Sequence, residues 1–301
     1  MKLHSAVSAL RRQAQDTGMN ATAQSDNSQA SLWNGPTGHA WVASQALLDR
    51  MFLPFQQLLT EDIPLGSAMR VLDIGCGTGA VGLAAARRLS APGHSLGIDL
   101  SEPMIALARS RAAREGLAAH YVVADAQTHA FAPGEFDLLL SRFGVMFFDD
   151  PVAAHRNLRH AARPGAELRC VAWRGAAENP FMTTAERAAA ALLPTLPPRR
   201  ADGPGQFAFA DRARVHAILQ DAGWTRIEIE PIEVPCSLPE SDLATYLGRH
   251  GPLGLSLQDS DERTRARVIA AVRTAFDPYV HGDEVRYTAA CWLLRARAPG
   301  A

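Results

Sequence analysis

Val71-Leu72-Asp73-Ile74-Gly75-Cys76-Gly77-Thr78-Gly79 decides the fold, together with Leu96-Gly97-Ile98-Asp99-Leu100 downstream. A short apolar run ends in an acid, turns through three alternating glycines and opens into the Ala-rich pattern that follows Gly79. Glycines let a backbone turn tightly and approach a ligand that side chains would hold off. The helix after them points its positive end at whatever fills the turn. An acid at the end of the next strand is placed to bond a ribose diol. The loop therefore predicts a nucleoside-containing cofactor.

Two readings of the loop stand side by side. Gly77-x-Gly79-x-x-Gly82 matches the dinucleotide pattern, which is weak on its own. Asp73-x-Gly75-x-Gly77-x-Gly79 is the longer and more specific string. Its acid suits a cofactor with an ammonium group and is unfavourable beside a pyrophosphate.

The chain has 301 residues, 47% of them hydrophobic and 20% charged, with a net charge of -1. That balance is ordinary for a globular protein and leaves no basic footprint for nucleic acid. No apolar run approaches a membrane span, and no secretory signal is convincing. Cys76, Cys170, Cys236 and Cys291 are scattered and show no metal-ligand spacing. They read as small buried apolar residues, which points to a reducing cytoplasm. Lys2 is the only lysine, which removes Walker A, Schiff-base and Tyr-x-x-x-Lys chemistry.

Residues 1–30 read as a flexible arm, with Met19 an alternative start. A helical cap is expected over 31–68, as one helix to about Leu59 with a possible kink at Pro54. From Arg70 strands are expected at 69–75, 94–99, 120–125, 136–142 and 167–173, with helices between them. Beyond a Pro/Gly/Arg-rich loop at 194–205 come a helix at 211–222 and strands at 225–234 and 285–296. The fold class is α/β: a doubly wound, mostly parallel seven-stranded sheet. Residues 69–234 and 284–298 form its core. A helical insertion at 235–283, before the last strand, is too long for a turn and suits a substrate lid.

From Arg70 to Trp173 the chain resembles class I S-adenosylmethionine (SAM) dependent methyltransferases, nearest in flavour to the ubiquinone/menaquinone-type C-methyltransferases. The resemblance implies a Rossmann-like fold with SAM as cofactor and S-adenosylhomocysteine (SAH) as product. By position it places Gly75, Cys76, Gly77, Thr78 and Gly79 along the methionine moiety, with Asp73 near its ammonium. Asp99 takes the ribose hydroxyls, and Leu100 and Met104 flank the adenine. Asp125, Ala126 and Gln127 meet the adenine edge. Ser141, Arg142 and Phe143 lie at the methyl-donor end, and Trp33 and Trp41 close over the cofactor. The catechol branch's carboxylate cluster is missing, since Asp149 and Asp150 read as helix N-terminal charge before Pro151; no metal is expected. The Asn-Pro-Pro-Tyr motif of DNA amino-methyltransferases is also missing, with Ser141-Arg142-Phe143-Gly144 in its place.

The implied reaction is methyl transfer by in-line displacement to O, N, S or C of a small, partly hydrophobic acceptor. Candidate bases are His250 with Tyr246, His39 and His129. The competing functions are an NAD(P)-dependent oxidoreductase and a SAM-binding module without catalysis. Monomer and homodimer are both open.

Overall fold

The computed structural model describes residues 29–193, 196, 203–258 and 260–300. The expected arm over residues 1–28, including Met19, lies outside them, as does most of the stretch 194–202.

Five strands build the parallel part of the sheet: β1 (Arg70–Ile74), β2 (His94–Asp99), β3 (Ala119–Val123), β4 (Phe136–Arg142) and β5 (Ala162–Trp173). Three more complete it: β6 (Thr225–Pro239), the two-residue β7 (Val280–His281) and β8 (Glu284–Arg297). The order is β3-β2-β1-β4-β5-β8-β6, with β7 paired to β8. β3, β2, β1, β4 and β5 run parallel. β8 inserts antiparallel between β5 and β6. Leu138, Leu139 and Leu140 of β4 are all buried, as a central strand covered on both faces requires. One small apolar cluster holds Leu83, Ile105, Ala108 and Tyr121. A larger one, including Phe55, Phe136 and Leu168, holds the rest of the sheet and the remaining helices.

Strand order reverses between β1 and β4, the switch point where such sheets take ligands. There the backbones nearly touch. A Cβ on Gly75 would lie 2.7 Å from the Gly144 Cα, and Gly75 itself adopts φ 63°. The helix after the loop, Ala80–Ala86, is wholly buried, which its small side chains permit.

Several boundaries differ from the sequence reading. The cap holds helical residues 29–34 and then three short helices, Pro36–Ala43, Gln45–Met51 and Leu53–Thr60, with breaks at Gly35, Ser44 and Phe52. Pro54 lies in the first turn of the third, where its missing N–H costs nothing, so it kinks no helix. β5 begins at Ala162 instead of about 167, since Gly165 (φ 78°) carries the chain through Pro164 without ending the strand. β6 continues to Pro239, so the first residues of the expected insertion are sheet. The rest holds helices Glu240–Arg249, Gly251–Ser256 and Glu262–Arg273. Asp150 caps the Pro151–Ala161 helix by accepting from the Ala153 N–H at 2.9 Å, as its charge predicts.

A candidate cofactor and acceptor cavity

An open cavity of about 640 Å³ lies over the C-terminal ends of β1, β2 and β4. Gly75, Cys76, Gly77 and Thr78 form its floor, and a Cβ on Gly77 would meet only the Met104 Sδ, at 3.7 Å. Asp99 organises this floor. One carboxylate oxygen accepts from the Gly77 N–H at 2.8 Å and the other from the Ser101 N–H at 2.9 Å. Asp125, two residues beyond the end of β3 at Val123, accepts from the Gln127 N–H at 2.8 Å, which turns the chain along the cavity edge.

Asp73 is buried beneath the loop and bonds the Gly82 N–H at 2.7 Å. Burial raises its pKa to about 7, against the pull of that N–H and of Arg142. Burial raises the Asp99 pKa as well, partly offset by its backbone donors. Arg142, at the end of β4, lines the cavity with its guanidinium 5.5 Å from the Phe52 ring. Its Nη1 is buried without a hydrogen-bond partner among the described residues. Burial pushes its pKa down, while Asp49 and Asp73 pull it up. An orphaned guanidinium N–H on a cavity wall is costly unless a ligand accepts from it. Next to it Phe143 holds φ 65°, rare for an aromatic residue, and stacks on Trp173 at 4.6 Å.

The cap is pinned to this floor by bonds that the sequence did not announce. The Ser101 hydroxyl donates to the Trp33 carbonyl at 2.7 Å, and Asn34 bonds both the Leu100 carbonyl and the Glu102 N–H. Arg111 donates to the Thr78 carbonyl at 2.7 Å and pairs with Asp49 at 2.6 Å. Trp33 and Trp41 thereby reach the cavity.

From the other side the Glu240–Arg249 helix and the turn after it bring Tyr246 and His250 to the same cavity. His250 Nε2 is buried and has no hydrogen-bond partner among the described residues. Burial, with neighbouring Arg249, lowers its pKa to about 4. Ties between cap and insertion are direct: Arg50 pairs with Asp242 at 2.9 Å, and Arg249 reaches the Ala43 carbonyl at 3.4 Å.

Most expected site residues therefore meet in one cavity. Gly79 and Ser141 do not line it and act from behind. Gly79 (φ 88°) starts the Ala80–Ala86 helix and packs against Tyr121, where a Cβ would clash. The buried Ser141 hydroxyl donates to the Ile74 carbonyl at 2.8 Å and accepts from the Gly144 N–H at 3.1 Å, clamping β4 to the glycine turn. His39 faces solvent against the Gly35 carbonyl, and His129 packs on Phe131, so neither lines the cavity. Thr37, Asp49, Phe52, Phe181 and Phe276 line it unanticipated. They come from separate elements, and only the helical spacing of the cap residues hinted at a shared face. Among the described residues no group of three metal-ligating side chains forms, and no helix is long and apolar enough to cross a membrane.

The donor set fits SAM. Carboxyl side chains on the wall (Asp49, Asp73, Asp99, Asp125, Glu186) outnumber the guanidinium groups of Arg142 and Arg249, which favours a sulfonium over a pyrophosphate.

Comparison with known proteins agrees. Residues 71–165 match a family described as a methyltransferase domain. An uncharacterized protein of Mycobacterium tuberculosis is 31% identical over 175 residues, 58% of this chain and 61% of that one. The aklanonic acid methyltransferase DauC of Streptomyces sp. (strain C5) is 34% identical over 131 residues, 42% of this chain and 60% of that one. The match thus spans about three fifths of the length of these relatives. The solved structure of a putative methyltransferase from Bacillus halodurans shares the fold, with a TM-score of 0.52 at 17% identity, covering 81% of this chain and 98% of that one. Glycine turn, strand order and domain match agree that residues 71–165 form a methyltransferase domain.

Proposed function

We propose that this protein transfers the methyl group of SAM, by in-line displacement, to a small and partly hydrophobic acceptor. The observation that carries this is the Asp99 carboxylate, locked to the Gly77 and Ser101 N–H groups at the mouth of a cavity large enough for two ligands. When bound, SAM supplies a methyl group made electrophilic by its sulfonium.

The roles follow from placement. Asp99 accepts from the ribose hydroxyls, with Leu100 and Met104 against the adenine and Asp125, Ala126 and Gln127 at its edge. Gly75, Cys76, Gly77 and Thr78 leave room for the methionine chain. Asp73 sits on the ammonium side, and Arg142 offers its unpartnered Nη1 to the carboxylate. Trp33 and Trp41 exclude water, and the segment from Glu240 to Ser256 acts as the acceptor lid. The protein's contribution is alignment of acceptor and methyl carbon in a dry site. DauC, by its name, acts on aklanonic acid, a small molecule, which supports an acceptor of that size.

Isothermal titration with SAH, with NADH in parallel, tests the cofactor. Binding of SAH alone is expected; binding of NADH alone would return the glycine turn to the dinucleotide reading.

A further inference from the structure

Resting on that reading, we propose that the roof of the cavity selects an uncharged hydroxyaryl acceptor, its ring laid along a ladder of aromatic side chains and its hydroxyl bonded to His250 Nε2.

The ladder is continuous. Trp33 meets Trp41 at 6.1 Å, and Trp41 meets His250 at 6.1 Å. His250 stacks on Tyr246 at 5.3 Å, Tyr246 lies 6.2 Å from Phe181, and Phe181 stacks on Tyr287 of β8 at 3.9 Å. All but Tyr287 line the cavity. β8 is four strand positions from β2, so the ladder ends about 19 Å across the sheet from Asp99 at ~4.8 Å per strand. That end is distant from the carboxylates proposed for the nucleoside, so its rings are left for the second ligand. Offset and edge-on aromatic faces suit a flat ring.

Within the ladder two polar atoms are buried and unbonded among the described residues, His250 Nε2 and the Tyr287 hydroxyl, and of the two residues His250 lines the cavity. An orphaned ring nitrogen in an apolar wall calls for a ligand polar atom. The imidazole is neutral at pH 7, since burial and Arg249 lower its pKa to about 4, so one ring nitrogen is an acceptor. A nucleophilic hydroxyl has a proton to offer it. The charges facing the cavity oppose an anionic acceptor: Asp49, Asp73, Asp99, Asp125 and Glu186 against Arg142 and Arg249.

Three naphthyl probes test this by equilibrium dialysis against the protein saturated with SAH. 2-Naphthol is expected to bind about tenfold tighter than 2-methoxynaphthalene, which has no hydrogen to donate, and 2-naphthoate is expected to bind weakest. His250→Ala should drop 2-naphthol to the affinity of the ether while retaining SAH, and His250→Gln, which keeps an acceptor, should recover part of the difference. Should the alanine variant not fold, the ranking on the native protein decides alone. Equal binding of naphthol and ether, a preference that survives His250→Ala, tightest binding of naphthoate, or no binding of any probe overturns the inference. Loss of SAH binding itself would instead defeat the methyltransferase reading beneath it.

Discussion

Asp73 holds the backbone N–H of Gly82, nine residues further on, at 2.7 Å. The acid of the glycine string thus fixes the start of the Ala80–Ala86 helix from beneath, while its charge faces the cavity beside Arg142. Its two duties separate by pH.

Asp73 is protonated more readily in the folded chain, with a pKa of about 7 against 3.8. Its ionisation therefore weakens the fold as pH rises from about 4 to about 7, by roughly 3 kcal/mol. Asp73→Asn keeps an oxygen for the Gly82 N–H and cannot ionise. Urea titrations should find the variant more stable than the native protein at pH 8 and the gap closed at pH 4. A gap independent of pH would remove the titration from Asp73.

Asp99→Ala strands the Gly77 and Ser101 N–H groups and removes the proposed ribose acceptor. SAH binding is expected to weaken by about 1–3 kcal/mol in titration calorimetry. Affinity unchanged from native would take the ribose from Asp99.

Arg142→Met removes a cation whose Nη1 has no hydrogen-bond partner among the described residues. If that N–H serves the cofactor carboxylate, SAH loses about 1.5–3 kcal/mol of binding, the worth of a charged hydrogen bond. 5′-Methylthioadenosine, which lacks the amino acid portion, should bind both proteins alike. An equal loss for the two ligands would place Arg142 elsewhere in the mechanism.

His155, buried with its Nδ1 2.7 Å from the Pro151 carbonyl, has its pKa lowered to about 4 by burial. The unfolded chain takes the proton more readily, so stability falls as pH drops from about 6.5 to about 4. His155→Leu cannot charge. Its stability relative to native should improve by about 2–3 kcal/mol across that window, read from thermal melts at several pH values. A constant difference would assign the acid sensitivity to other groups.

The parts legible in the sequence were those in which one short segment does the whole job. Gly75 and Gly77 turn the chain by themselves, Asp99 ends β2, and Asp125 follows two residues after β3, each behind an apolar run that announces the strand. What escaped was assembled across the chain. No local pattern tells that Asp49 will meet Arg111, or that Phe181, Tyr246 and Trp41 will share a wall, because each arrives on a different element. The breaks at Ser44 and Phe52 escaped for a related reason. The apolar stripe there continues through both residues, and packing against the sheet cuts it into three pieces. Gly79 and Ser141 stand behind the cavity wall, since a motif marks positions without saying which face the cavity and which brace it.

Arg50 and Asp242 meet from positions 192 residues apart, and Arg249 reaches Ala43 across 206. The glycine turn needs only neighbours close in sequence. The roof above it joins the first described helices to a segment that follows six of the eight strands. During synthesis the cap helices and the glycine turn thus emerge long before the segment that closes the roof with them, and a nascent chain halted near residue 230 carries Arg50 and Ala43 without Asp242 and Arg249 to meet them.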